Sequence, residues 1–68
     1  MQTFEALRIK RFKNRVKRRD LARRVGCHES WIARLEDGGY HGPAAQEWRE
    51  KYEAALEDLI EEQKAASK

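Results

Sequence analysis

The sequence predicts an all-α protein in which three short helices precede one long amphipathic helix. The first observation is a set of apolar residues, Leu21, Ala22 and Val25, that share one face of a helix. Gly26 follows at once, and glycine readily takes the left-handed conformation that commonly ends a helix. The second observation is a stretch from about residue 44 to about residue 64 that contains no helix-breaking residue. The chain of 68 residues is long enough for one small core, and therefore for one structural domain.

The first helix is predicted over about residues 3–14. Its apolar side chains form a wide arc with basic residues threaded through it: Phe4, Leu7, Ile9 and Phe12. The second helix is predicted to begin between Lys17 and Asp20. Asp20 then lies in the first turn, where the helix dipole favours a negative charge.

A third helix is predicted from His28 or Glu29 to Glu36, with the glycines at 38 and 39 as its stop. Ile32 and Leu35 are three residues apart, so they share the face that we expect to be buried. Because Ala22 is small, the second and third helices can approach each other closely.

A loop is predicted at residues 40–43, and Pro43 opens the long helix, because proline is tolerated at a helix start. One arc of this helix contains its apolar residues: Ala45, Trp48, Tyr52, Ala55, Leu56, Leu59 and Ile60. The glutamates at 50, 53, 57 and 61 lie outside that arc. We therefore divide the chain into a core of three helices at residues 1–43 and a long C-terminal helix at residues 44–68, within one domain.

The net charge of +3 is distributed very unevenly along the chain. Residues 1–34 hold 11 Lys and Arg against 3 Asp and Glu, whereas residues 35–68 hold 4 against 9. A basic half of this density indicates a polyanionic partner, and the acidic half must face away from it.

The stretch from about Leu7 to Pro43 resembles the phage repressor and Cro family of helix-turn-helix proteins. The matching positions are Leu21, Ala22, Val25, Gly26, Ile32 and Leu35. This resemblance implies a fold like that of lambda repressor, followed here by one long helix where relatives usually have two short ones. It also implies an ion pair between Arg11 on the first helix and Glu36 at the end of the third.

Within such a fold, the outer face of the third helix enters the major groove of DNA. The residues expected to contact bases are His28, Glu29, Ser30, Ala33 and Arg34. Those expected to contact phosphates are Lys17, Arg18, Arg19 and Arg23. Alternatives stay open at several positions, and Arg18 and Arg19 can be solvated side chains instead. Arg34 can pair with Asp37 instead, His28 can cap the helix, and Trp31 can either pack on the long helix or stack on a base.

The function predicted is sequence-specific binding of double-stranded DNA by a transcriptional regulator, such as a repressor of phage, plasmid or bacterial origin. A DNA-bending excision factor and an antitoxin-like protein-interaction module are the alternatives. We expect no enzyme activity, cofactor, metal site or small-molecule substrate, because no catalytic constellation or zinc-ligand spacing is present.

Self-association through the long helix is a further expectation. Two copies on a two-fold DNA site would enlarge the buried surface, and Leu56, Leu59 and Ile60 form the possible dimer interface. The alternatives are that the first helix covers these residues or that the last turns fray. No membrane segment is expected. The single cysteine, Cys27, and a start without an apolar signal segment favour a cytoplasmic protein, associated with the nucleoid when bound to DNA.

Overall fold

The computed structural model describes residues 3–38 and 42–66. Within these residues the chain forms four helices and no strands: α1 (Phe4–Lys13), α2 (Arg18–Val25), α3 (Glu29–Gly38) and α4 (Ala45–Ala66). The predicted all-α class with one long C-terminal helix is therefore confirmed. The predicted loop at residues 40–43 lies partly outside the described residues.

Local hydrogen bonds explain where α1 begins and ends. The Thr3 hydroxyl accepts from the Ala6 N–H at 3.1 Å, which caps the start of the helix. At the other end, Arg15 takes a left-handed conformation with φ 57°. The Arg15 N–H donates to the Phe12 carbonyl, and the Val16 N–H donates to the Arg11 carbonyl, both at 3.1 Å. These two hydrogen bonds form a Schellman motif. Its left-handed position is usually a glycine and is Arg15 here.

The turn between α2 and α3 requires the backbone freedom of Gly26. Its φ is 93°, and its N–H donates to the Ala22 carbonyl at 2.8 Å. The Cys27 N–H donates to the same carbonyl at 2.9 Å. A Cβ at residue 26 would meet nothing within 4 Å, so backbone conformation and not space selects glycine here.

One core joins all four helices. Its buried members are Phe4, Leu7, Val16, Leu21, Ala22, Ile32, Leu35, Tyr52, Ala55 and Leu56. Ile9 and Phe12 are not among them, although the sequence placed both in the apolar arc of α1. The buried stripe of α1 runs from Phe4 to Leu7 and then to Arg11, whose side chain is only 12% exposed. Phe12 lies about 100° around the helix from that stripe and faces solvent.

The far turns of α4 belong largely to the same core. Leu56 is fully buried, which corrects its expected place in a dimer interface: a side chain already covered within its own chain cannot contact a second copy. Leu59 and Ile60 are half-buried against the same core. Exposed ion pairs from Lys10 to Glu57 and from Arg24 to Glu62 attach α4 to α1 and α2. Within the described residues α4 runs from Ala45 to Ala66, inside the segment of residues 44–68 assigned to it from the sequence.

None of the helices in the described residues is both long enough and apolar enough to cross a lipid bilayer.

Candidate nucleic-acid interface

The two faces of α3 differ sharply in exposure. Ile32 and Leu35 are fully buried and hold the helix against the core. On the other side, Glu29, Ser30 and Arg34 are exposed, while Ala33 is half-buried. Because the polar side chains share the outward face, α3 presents a continuous set of hydrogen-bonding groups to whatever lies outside.

His28 caps the start of α3. Its Nδ1 accepts from the Ser30 backbone N–H at 3.1 Å and lies 2.8 Å from the Ser30 hydroxyl oxygen. An Nδ1 that accepts a backbone hydrogen bond carries no proton, so the neutral ring holds its proton on Nε2. The side chain is exposed. His28 therefore acts as a cap through one nitrogen and keeps a donor on the other.

Two shallow grooves bring most of the predicted contact residues together. The first groove lies between the start of α2 and the outer face of α3, and we call it the α2–α3 groove. Its lining residues are Lys17, Arg18, Arg19, Glu29, Ser30 and Ala33. The second adjoins it and is lined by Ser30, Trp31, Ala33, Arg34 and Asp37. Arg23 and His28 line neither groove, although both are exposed.

In the α2–α3 groove three positive side chains stand against the single carboxylate of Glu29. Within residues 3–38 and 42–66, none of Lys17, Arg18 and Arg19 forms an ion pair. Lys17 stands at the N-cap position of α2 and provides no side-chain cap, so the first-turn amide groups have no capping side chain. Positive side chains beside uncapped amide groups form a surface suited to an anion such as phosphate.

The Arg34 side chain is available to contact a binding partner. Over the described part of the chain it forms no ion pair with Asp37, the alternative partner that the sequence offered. Arg34 is an exposed residue on the outer face of α3. A planar guanidinium in this state can form two parallel hydrogen bonds with a suitable acceptor pair.

A buried polar network fixes α3 to the rest of the fold. Arg11 Nε donates to Glu36 Oε2 at 2.7 Å, and Arg11 Nη2 donates to Glu36 Oε1 at 3.1 Å. Arg11 Nη1 also donates to the Val16 carbonyl at 2.9 Å, in the segment between α1 and α2. The Tyr52 hydroxyl donates to Glu36 Oε2 at 2.5 Å. One carboxylate, only 3% exposed, therefore links α1, α3 and α4.

Tyr52 is the member of this network that the sequence did not reveal. Its place in the apolar arc of α4 indicated only a core residue. The available signal was its hydroxyl, because a buried tyrosine needs a hydrogen-bond partner. Burial raises the pKa of Tyr52 above its ordinary value, and the hydrogen bond to Glu36 and its charge raise it further. Burial opposes the charged form of Arg11, but the contacts with Glu36 and Tyr52 together outweigh burial and leave the pKa of Arg11 raised.

We expect the Tyr52→Phe variant to be less stable by about 1.5–3 kcal/mol at neutral pH, because Glu36 loses a hydrogen bond to its charge. The folded pKa of Tyr52 lies above the unfolded value, so the stabilisation persists below about pH 10 and is lost as the pH rises further. Wild-type unfolding free energy should therefore fall more steeply above about pH 10, by up to about 1.4 kcal/mol per pH unit. Denaturant titrations of both proteins over that range provide the check, and equal slopes would contradict it.

Two further positions are settled by packing. The rings of Trp31 and Trp48 meet edge to face, with centroids 5.5 Å apart and planes at 69°, so Trp31 packs on α4. Cys27 lies half-buried against the core, and burial raises the pKa of its thiol. Among the described residues, no group of three or more His, Cys, Asp and Glu side chains is placed to hold a metal ion.

Comparison of the sequence with known proteins gives a family match. A family model described as a helix-turn-helix domain matches residues 3–59, which covers all of α1 to α3 and most of α4. Neither a curated protein nor a solved structure matches the sequence. The narrower resemblance to phage repressor and Cro proteins stays a prediction.

Proposed function

Because the chain belongs to the helix-turn-helix domain family, we propose that it is a transcriptional regulator that places α3 in the major groove of a specific DNA sequence. Membership of the family supports DNA binding. The observation that carries the finer proposal is the α2–α3 groove, where an uncapped, basic helix start faces the polar side of α3. A duplex seated there meets phosphate-binding and base-reading groups at the same time.

The outer face of α3 would supply base recognition. Arg34 is suited to guanine, whose O6 and N7 accept both arms of the guanidinium. Glu29 can accept from cytosine N4, and Ala33 can contact a thymine methyl group. Ser30 and the Nε2–H of His28 add a hydroxyl and a donor at the leading end of the helix.

The basic residues around the start of α2 would set position and general affinity. We assign phosphate contacts to Lys17, Arg18, Arg19 and Arg23. These contacts carry no sequence information, so they fix the register in which α3 enters the groove. The network of Arg11, Glu36 and Tyr52 supports this arrangement by holding α3 in place against the core.

The deciding experiment is selection of bound sites from random duplexes at two salt concentrations. We expect an enriched sequence motif that Arg34→Ala relaxes at one base-pair position, at a cost of about 1–3 kcal/mol. Arg19→Ala should weaken binding to all sequences alike and lower the salt slope by about one. These two variants remove the same kind of side chain, so each is the control for the other.

The outcomes separate clearly. Absence of any enriched motif would contradict sequence-specific recognition, even if the protein binds duplexes in general. Identical effects of Arg34→Ala and Arg19→Ala on motif and salt slope would contradict the division between base and phosphate contacts. A DNA-binding role of this kind would place the protein in the cytoplasm, where the nucleoid lies.

We also propose that two copies bind together on a two-fold site. With Leu56 buried in the core, this proposal is supported by the half-exposed apolar side chains of Leu59 and Ile60 on α4. Sedimentation should give the mass of a dimer for the wild type and of a monomer for Leu59→Glu, with circular dichroism confirming that the variant stays helical. A monomeric mass for the wild type, both free and on its selected site, would refute the proposal.

A further inference from the structure

The most exposed large apolar side chains of the described residues lie together on α1. Phe12 is 79% exposed and Ile9 is 46% exposed, and a spacing of three residues puts them on one side of the helix. Both line a groove between α1, the start of α2 and the end of α3. We call it the Phe12 groove. Because this groove lies outside the core, packing of the fold does not explain why Ile9 and Phe12 are apolar.

The rim of the Phe12 groove is predominantly basic. Arg8, Lys13 and Arg18 line it, all three are exposed, and none forms an ion pair within residues 3–38 and 42–66. Asp37 is the one exposed acidic residue that lines the groove. The Arg11 and Glu36 side chains at its inner edge neutralise each other. The groove therefore has an apolar centre and a mainly basic rim. A ligand that fits it should have both apolar side chains and negative charge.

We propose that the Phe12 groove docks an acidic amphipathic segment of a partner protein. Apolar side chains of that segment would cover Phe12 and Ile9, while its Asp and Glu residues pair with the basic rim. A DNA backbone suits the groove less well, because it offers no apolar side chain and would meet the Asp37 carboxylate. A second copy related by two-fold symmetry would bring the basic rims together and be repelled.

The position of Arg18 connects this groove to the DNA-binding surface. Arg18 lines both the Phe12 groove and the α2–α3 groove. An acidic segment that pairs with Arg18 would withdraw it from phosphate, so the partner would weaken DNA binding. This consequence rests on the proposed DNA-binding function, whereas the docking itself does not.

The test is a selection of short displayed helices against the full chain in the absence of DNA. Each helix carries two fixed leucines on one face, and the flanking positions vary among Glu, Lys, Gln and Ala. We expect glutamate to be enriched at the flanking positions. A synthetic copy of the best peptide should bind Phe12→Ser at least about tenfold more weakly than the wild type. Ala54→Ser, at an exposed position of α4, is the control and should bind normally.

The variant is chosen so that folding does not obscure the result. Phe12 is largely in water already, so its replacement by serine should leave the circular dichroism spectrum and unfolding curve unchanged. Enrichment of uncharged or basic helices, or equal binding to Phe12→Ser and wild type, would overturn the proposal. So would a loss of duplex affinity in Phe12→Ser as large as that in Arg19→Ala, since the groove would then serve nucleic acid. No DNA is present in the selection, so failure of the proposed DNA binding leaves its outcome interpretable.

Discussion

Replacement of Glu36 by alanine is expected to lower the free energy of unfolding by about 3–5 kcal/mol. The carboxylate is the shared acceptor of Arg11 and Tyr52, and all three side chains are largely or fully buried. Its removal leaves the buried charge of Arg11 without a negative partner, and such a charge costs more than the ion pair itself contributes. A domain of this size has a total stability of only about 3–10 kcal/mol, so the variant should be close to unfolded at room temperature.

Urea titrations followed by circular dichroism at low temperature will measure this loss. The matched control is Glu57→Ala, which removes an exposed carboxylate paired with Lys10 and should cost no more than about 1 kcal/mol. Adding Arg11→Met to Glu36→Ala should recover part of the loss, because the unpaired charge disappears. If Glu36→Ala were no more damaging than Glu57→Ala, the buried network would not hold the helices together as described.

Reversing two charges at the start of α2, by Lys17→Glu with Arg19→Glu, should weaken binding to the selected duplex by about 100-fold at about 0.1 M salt. Each lost phosphate contact removes about 0.9 from the slope of log affinity against log salt, so the slope should fall by about two. Both positions lie at or near the N-terminus of α2, where negative charge is favoured by the helix dipole. The variant should therefore fold at least as well as the wild type.

The control for this variant is Lys51→Glu with Lys64→Glu on α4, which changes the net charge by the same amount. Titration of a labelled duplex at several salt concentrations gives affinity and slope together. We expect the control to bind nearly as tightly as the wild type. If both double variants lost affinity equally, net charge rather than the α2–α3 groove would account for binding.

The helical architecture could be predicted from apolar residues that lie a few positions apart in the sequence. The set of Leu21, Ala22 and Val25, ended by Gly26, predicted α2 and its turn, because one helical face and one left-handed residue suffice to define them. Ile32 and Leu35 predicted which side of α3 is buried. Local patterns of this kind reflect constraints within a single helix, so a sequence displays them directly.

The features that the sequence did not reveal depend on contacts between distant residues. Whether Leu56 meets its own core or a second copy depends on how closely α1 and α2 pack against α4. The exposure of Phe12 depends on Arg11 taking the buried position of the last turn of α1. The bond from Tyr52 to Glu36 joins residues 16 positions apart in the chain. The spacing of residues along one helix does not reveal these contacts between helices.

The edge-to-face pair of Trp31 and Trp48 gives the protein an intrinsic fluorescent probe. These are the chain's two tryptophans, so both of its indole fluorophores lie where α3 packs against α4. Trp31 lies on the helix that we propose enters DNA, and Trp48 lies on the helix tied to it by Tyr52. We expect a movement of one helix against the other to change the tryptophan emission, which can be followed without an attached label.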